Sequence, residues 1–350
     1  MTLSVENKIL RNVLDIESFA RGRAVKLVKI LDQAERAALA KLGTFKDTST
    51  FSRRMMSITL TELGGTLADV SERYTNVLNK ARREVLQMEY NAASKALAND
   101  LAKTTTAKVA TRLSTGRLST LLAAPFGGHT LSTWVTRQNS NLIRATRTEL
   151  AKSLALNETV QQASKRLIEG FGVKRRAANT IAKTSLLQAG NDARDEMYRD
   201  NGQLIEGYQY VATLDARTCP ICAPDDGRVE ENREDLPELL RHPNCRCTIV
   251  PITPLSEDLT RPAVTDQDFR TVNHADGSTS TKTKIVSTKR TTQNFDQFFR
   301  SQPASWKRDW LGEERYALWR AGKLKSLEDL ASNTRVLTVN QLKTRLGVDA

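Results

Sequence analysis

Cysteine is scarce and confined: all four fall between Cys219 and Cys247, and no other position of the 350-residue chain holds one. No disulfide framework can therefore hold the rest of the fold together. Proline is absent before Pro125, so nothing in the first 124 residues obliges a helix to stop. No apolar run approaches the ~18 residues that a membrane span needs. The start, Met1-Thr-Leu-Ser-Val-Glu6, gains charge early and runs into a helical pattern rather than a signal-peptide core, which predicts a protein made and kept in a cytoplasm. A Gly-x-x-x-x-Gly-Lys phosphate loop is missing. With three histidines in the chain, no Ser, His and Asp set for nucleophilic catalysis can be assembled, and we expect no enzyme.

What is present is an ordinary soluble composition, 39% hydrophobic and 27% charged, with length for two or three domains. The net charge of +13 is unevenly spread. Residues 1–200 hold 32 basic against 19 acidic side chains, and residues 201–350 hold 21 of each. The surplus concentrates between 101 and 190, in Lys103, Lys108, Arg112, Arg117, Arg137, Arg144, Arg147, Lys165, Arg166, Lys174, Arg175 and Arg176, together with Lys152 and Lys183. Only Glu149, Glu158 and Glu169 oppose them. Such a bias attracts polyanions without reading sequence, and an acidic protein surface suits it as well as a nucleic acid. Aromatic residues are sparse there, which argues against base stacking.

Apolar residues recur at three and four from residue 6 to about 104, as in Ile9, Val13, Ile16 and Ala24, Leu27, Val28, Leu31, and predict long amphipathic helices with a candidate hinge at Gly64-Gly65. Residues 104–130 read as loop, with Leu121–His129 as an irregular contact segment. Helix resumes over Leu142–Leu156, and a cap at Asn157–Val160 starts another to Ile168, which Gly170-Phe-Gly172 should break. A further helix over Lys174–Asp200, with Ala177, Ile181, Leu186 and Ala189 inward, should close at Asn201-Gly202. The alternating run Leu204–Thr213 and the short Thr248–Ile252 read as strands. Residues 255–292 are polar, with Asp276-Gly277 suggesting a hairpin between Phe269–Val272 and Lys284–Val286. Seven aromatics crowd into Phe295–Trp319 and predict a small helical unit broken at Gly312 and Gly322. The fold class expected is mainly α with a small α+β module stapled by zinc.

That module carries the strongest signal. Cys219-Pro-Ile-Cys222 and His242-Pro-Asn-Cys245-Arg-Cys247 give the spacing C-x2-C-x19-H-x2-C-x-C, five soft donors for the four positions of tetrahedral Zn²⁺. The knuckle turn aims both sulfurs at one point, and Pro220 pre-sets its φ. Four of Cys219, Cys222, His242, Cys245 and Cys247 are the expected ligands, with which four left open. A redox dithiol would open a helix within a βαβ context, which is lacking. A catalytic zinc would want a base beside its ligand, where His242 is followed by Pro-Asn. Asp225-Asp226-Gly227 is read as a tight turn. Asp215 and Arg217 are candidates for an ion pair bracing the first knuckle. His129 and His274 are given no role.

The residues Arg194–Gly202, Gly207–Cys222 with its Leu-Asp-Ala-Arg-Thr-Cys knuckle, Asp226-Gly227 and His242-Pro-Asn-Cys-Arg-Cys247 occur in an order that resembles the tailed-phage head morphogenesis family, the Mu F-like minor head proteins. The resemblance covers about 140–254. With the patterns above, the expected division is a helical region at 1–139, a head morphogenesis domain at 140–254 with its zinc module at 203–254, a linker or hairpin arm at 255–292, and a C-terminal unit at 293–350. It implies a virion component inside the capsid near the portal vertex, a role in head morphogenesis and in genome packaging or ejection, and the portal and other head proteins as partners. Packaged double-stranded DNA would be a further partner, and the portal would set the oligomeric state.

Overall fold

A computed structural model describes residues 4–102, 106, 108–256, 259–273, 279–332 and 335–348, with the backbone alone at 170, 172–174, 265–273 and 279–288. Helix α1 (Val5–Leu42) starts where the Ser4 hydroxyl accepts from the Asn7 amide. It buries Ile9, Val13, Ile16, Ala20, Ala24, Leu27, Leu31, Ala34 and Ala38, spaced by three, four or seven residues along one stripe. Helix α2 (Arg53–Leu101) is capped by Ser52 and runs 49 residues without a break. Gly64 and Gly65 therefore do not hinge it: Leu63 and Leu67 are buried on either side, and that burial outweighs a propensity cost of about 1 kcal/mol per glycine.

Helix α3 (Thr115–Ala123) lies inside the segment expected to be loop, capped by the Ser114 hydroxyl and anchored by buried Leu118. The irregular part shrinks to the turn that closes on a bridge between Phe126 and His129, with Gly127 and Gly128 at φ +54° and +80°. Helix α4 (Leu131–Ala155) follows. Helix α5 (Val160–Asp200) starts in a capping box, the Thr159 hydroxyl taking the Gln162 amide and the Gln162 side chain the Thr159 amide. Its course through Gly170-Phe-Gly172 is unbroken. Phe171 is 2% exposed, and helices α1, α2 and α4 all pack along α5, so tertiary burial overrides the local preference to stop. The inward stripe is Ala178, Ala182, Leu186 and Ala189; Ala177 faces out and Ile181 is half-buried.

Polar ties cross this bundle. Tyr74 donates to the Ala178 carbonyl at 2.8 Å. Arg194 meets Glu89 at 2.6 Å with both side chains almost fully buried, a pair whose removal on one side would strand the other charge.

Beyond α5, β1 (Gly207–Val211) sits in the middle of an antiparallel sheet between β2 (Val229–Glu230) and β3 (Thr248–Ile252), with Tyr208 opposite Pro251 and Gln209 opposite Val250. The Tyr198 hydroxyl at the end of α5 donates to the Ile249 carbonyl at 2.7 Å, and β3 rests on α1. Strands β4 (Arg261–Asn273) and β5 (Thr279–Thr291) form a hairpin longer than the sequence suggested, with irregular register at Val264–Gln267; Asp276-Gly277 and His274 lie outside the described residues. Its root is tied down where the Val264 amide meets the Leu214 carbonyl at 2.9 Å.

The C-terminal unit is built from α6 (Phe295–Ser301), α7 (Ala304–Leu311), α8 (Glu313–Arg320), a short β6–β7 pair (Ala331–Ser332, Arg335–Val336) and α9 (Val339–Leu346). Its core is the aromatic cluster: Phe299 meets Trp319 edge to face at 5.0 Å, and Trp306 stacks on Trp310 at 6.3 Å. Gly312 and Gly322, at φ +77° and +68°, end α7 and α8 as expected. Among the described residues, no helix is long and apolar enough to cross a membrane.

Candidate metal centre

The first knuckle hangs from the end of β1. Asp215 accepts from the Arg217 amide at 2.9 Å, and the Cys222 and Ala223 amides both return to the Cys219 carbonyl at 3.1 and 3.0 Å. This single turn brings the Cys219 and Cys222 sulfurs to the same side. The second knuckle enters through Leu240 at φ +58°, a backbone region costly for a bulky residue. Its neighbour Arg241 holds the turn in place by donating to Asp225 and, at 3.2 Å, to the Ile221 carbonyl. Asn244, also at φ +58°, lets the chain reverse between His242 and Cys245, and its amide is fixed on Thr184 of α5 at 3.1 Å.

The five predicted donors converge. Cys219 Sγ lies 3.0 Å and Cys222 Sγ 3.3 Å from His242 Nε2, and Cys222 Sγ is 3.8 Å from Cys245 Sγ. Cys219, Cys222 and His242 form one triad of donors mutually within 4.8 Å; Cys222, Cys245 and Cys247 form a second. Cys222 belongs to both. All four thiols are free of disulfides. A tetrahedral ion with metal–sulfur bonds of ~2.3 Å would hold its sulfurs about 3.8 Å apart, the separation found between Cys222 and Cys245.

The histidine is oriented for the task. Its Nδ1 lies 3.0 Å from the Pro243 carbonyl, which can accept only from a protonated nitrogen and so leaves Nε2 to the sulfurs. The thiols perturb one another: a hydrogen bond from Cys219 lowers the Cys222 pKa to about 6, and the same bond raises that of Cys219 to about 12. Bonds to Cys222 and Cys247 depress Cys245 strongly, and bonding to Cys219 raises His242. Cys222 and Cys245 are therefore the thiols the cluster most readily turns into thiolates. The residues present fit a bound metal ion, and the donor set can hold one.

Carboxylates around the cluster act as ties. Asp215 takes a bidentate pair from Arg246 at 2.7 and 2.7 Å and reaches Arg217 at only 3.5 Å, so the expected brace exists but its principal partner is Arg246. Asp226 does more than make the turn. Gly227 does sit at φ +90°, yet the Asp226 carboxylate is fully buried and accepts from the Ala212 amide at 2.7 Å, the Phe295 amide at 2.6 Å and both terminal nitrogens of Arg261. Sequence reasoning missed this junction, and only its Asp-Gly turn was visible. Trp310 adds a second link, its indole donating to the Thr218 carbonyl at 2.8 Å.

The basic residues of 101–190 divide. Arg117 bonds Glu196 at 2.6 Å, Arg166 bonds Glu158 at 2.6 Å, and Arg175 bridges Asp32, at 2.7 Å, and Glu35. Lys108, Arg112, Arg137, Arg144, Arg147, Lys165 and Arg176 are exposed, and none of them is ion-paired with an acid among the described residues. Lys103 and the side chain of Lys174 lie outside the described residues.

Residues 144–250 match the family described as phage Mu protein F like protein, and that segment is similar to it. The match covers under a third of the chain and takes in both knuckles. Neither the curated proteins nor the solved structures contain a match to the chain.

Proposed function

We propose that this chain is a non-enzymatic structural protein of a tailed-phage head, lodged inside the capsid near the portal vertex and acting in head morphogenesis and in genome packaging or ejection. Its 207–252 sheet and knuckles are closed by one Zn²⁺, held by four of Cys219, Cys222, His242, Cys245 and Cys247. The observation that supports this most is the convergence of two knuckles, each built by its own local hydrogen bonds, on separations of 3.0–3.8 Å within the segment that matches the family. Thiolate and imidazole donors with no disulfide suit a closed structural ion, whose binding free energy becomes folding free energy. Elemental analysis of the purified, reductant-treated chain should find one zinc per molecule. Assembled heads should yield the chain together with the portal protein. Absence of stoichiometric metal would remove the staple, and recovery from the capsid exterior alone would remove the location.

One observation favours a second role, sequence-independent contact with double-stranded DNA. Helix α4 presents Arg137, Arg144 and Arg147 to solvent, with Glu149 the only acid in the helix and already bonded to Lys152. Replacing any one of these arginines by a neutral residue should lower the slope of log affinity against log salt by about one.

A further inference from the structure

Between the first half of α1, the end of β1 and the root of the β4–β5 hairpin lies a cavity of about 310 Å³ that neither the metal centre nor the basic face of α4 uses. Its walls are apolar where they meet Leu10, Leu14, Val211 and Leu214. Leu14 is 46% exposed at the mouth, so the apolar surface runs from the cavity to solvent. Arg11, Arg246, Arg261 and Arg290 also line it.

These four guanidiniums are not equivalent. Arg246 is spent on Asp215, and Arg261 on Asp226. Among the described residues, Arg290 donates to neutral groups, the Asn7 side-chain oxygen at 2.6 Å and the Thr260 carbonyl. Arg11 is exposed, and among the described residues no hydrogen bond or ion pair engages it. Glu6 on α1 is buried and occupied by Ser256; Asp15, one turn beyond Arg11, faces solvent without an ion pair to it among the described residues. The site therefore combines an apolar pocket with two positive charges that the described residues leave uncompensated. Its volume sits at the lower limit for small-molecule sites, and suits one or two buried side chains.

We propose that this cavity is a docking site for an extended acidic peptide segment of a partner protein, which places an apolar side chain against Leu10, Leu14 and Leu214 and its carboxylates on Arg11 and Arg290. Charge complementarity selects an acidic partner, and the apolar floor selects one with a hydrophobic anchor. The inference goes beyond the head-protein reading and holds whether or not zinc is the bound ion.

The test uses the full chain and three fluorescein-labelled octapeptides: alternating glutamate and leucine, alternating lysine and leucine, and alternating glutamate and serine. Fluorescence anisotropy should show the glutamate–leucine peptide binding at least tenfold tighter than either of the others. Arg11→Glu and Leu14→Glu, both at exposed positions, should each weaken it at least tenfold while circular dichroism and metal content stay unchanged. Arg144→Glu on α4 should leave it unaltered. Equal binding of the lysine peptide, indifference to Arg11→Glu and Leu14→Glu, or no binding at millimolar peptide would overturn the proposal. So would binding of a 20-base-pair duplex that those two substitutions abolish, since the pocket would then serve nucleic acid.

Discussion

Replacing Asp226 with alanine should detach the C-terminal unit from the rest of the protein. The carboxylate is fully buried and Arg261 nearly so, and two backbone amides, those of Ala212 and Phe295, end on it. Removing one partner of a buried ion pair costs about 3–5 kcal/mol because the remaining charge is stranded. Each orphaned buried amide adds about 1 kcal/mol. These terms overlap, so a loss of about 4–6 kcal/mol is expected, a large share of the ~5–15 kcal/mol that holds a typical domain. Because Phe295 opens α6, the damage should fall on 295–348 before the helical bundle. Trp306, Trp310 and Trp319 all lie in that unit and Trp134 in the bundle, so tryptophan fluorescence during urea unfolding reports mainly on the former. The expected trace is an early transition carrying most of the fluorescence change, with helical circular dichroism retained to higher urea. Asp226→Leu combined with Arg261→Met should recover much of the loss, since neither charge is then stranded. A single transition within 1 kcal/mol of wild type for Asp226→Ala would refute the reasoning.

Chelation at pH 7.5 should melt the sheet and knuckles ahead of the helices, and Cys222→Ser, which removes the sulfur common to both donor triads, should reduce metal content more than Cys247→Ser; equal metal retention in the two variants would contradict the shared role of Cys222. Burial raises the Asp192 pKa from 3.8 to about 6, so its neutral form is the one the fold favours. The stability this contributes is complete below about pH 4 and lost as pH rises through about 6, and Asp192→Asn should gain up to about 3 kcal/mol over wild type at pH 7.5 but not at pH 4, read from urea midpoints. Arg144→Glu with Arg147→Glu should lower the salt dependence of binding to random duplex without changing the melting temperature, whereas Arg175→Glu, which breaks the bridge to Asp32 and Glu35, should lower the melting temperature.

The knuckles were legible in the sequence because their chemistry is local: two turns of four residues each decide where the sulfurs point. The cap expected at Asn157–Val160 was legible for the same reason, and it falls on Thr159. The break expected at Gly170-Phe-Gly172 failed because the deciding interaction, burial of Phe171 under other helices, joins residues far apart in the chain. Charge misled in a related way. Glu196 neutralises Arg117 across 79 positions and Asp32 neutralises Arg175 across 143, so a local count of basic residues overstated what faces solvent. Asp226 shows the limit most sharply, since its Asp-Gly turn is written in three residues but its partners are supplied by 212, 261 and 295.

Helix α5 has a mechanical consequence. Forty-one residues at ~1.5 Å each make a rod about 60 Å long. One end is pinned beside the α1–α2 connection, where the Val160 amide meets the Ser49 carbonyl at 3.0 Å; the other reaches β3 through Tyr198, and Thr184 midway grips the turn that carries His242. A push or twist applied at Thr159 therefore travels as through a strut to the cysteine cluster.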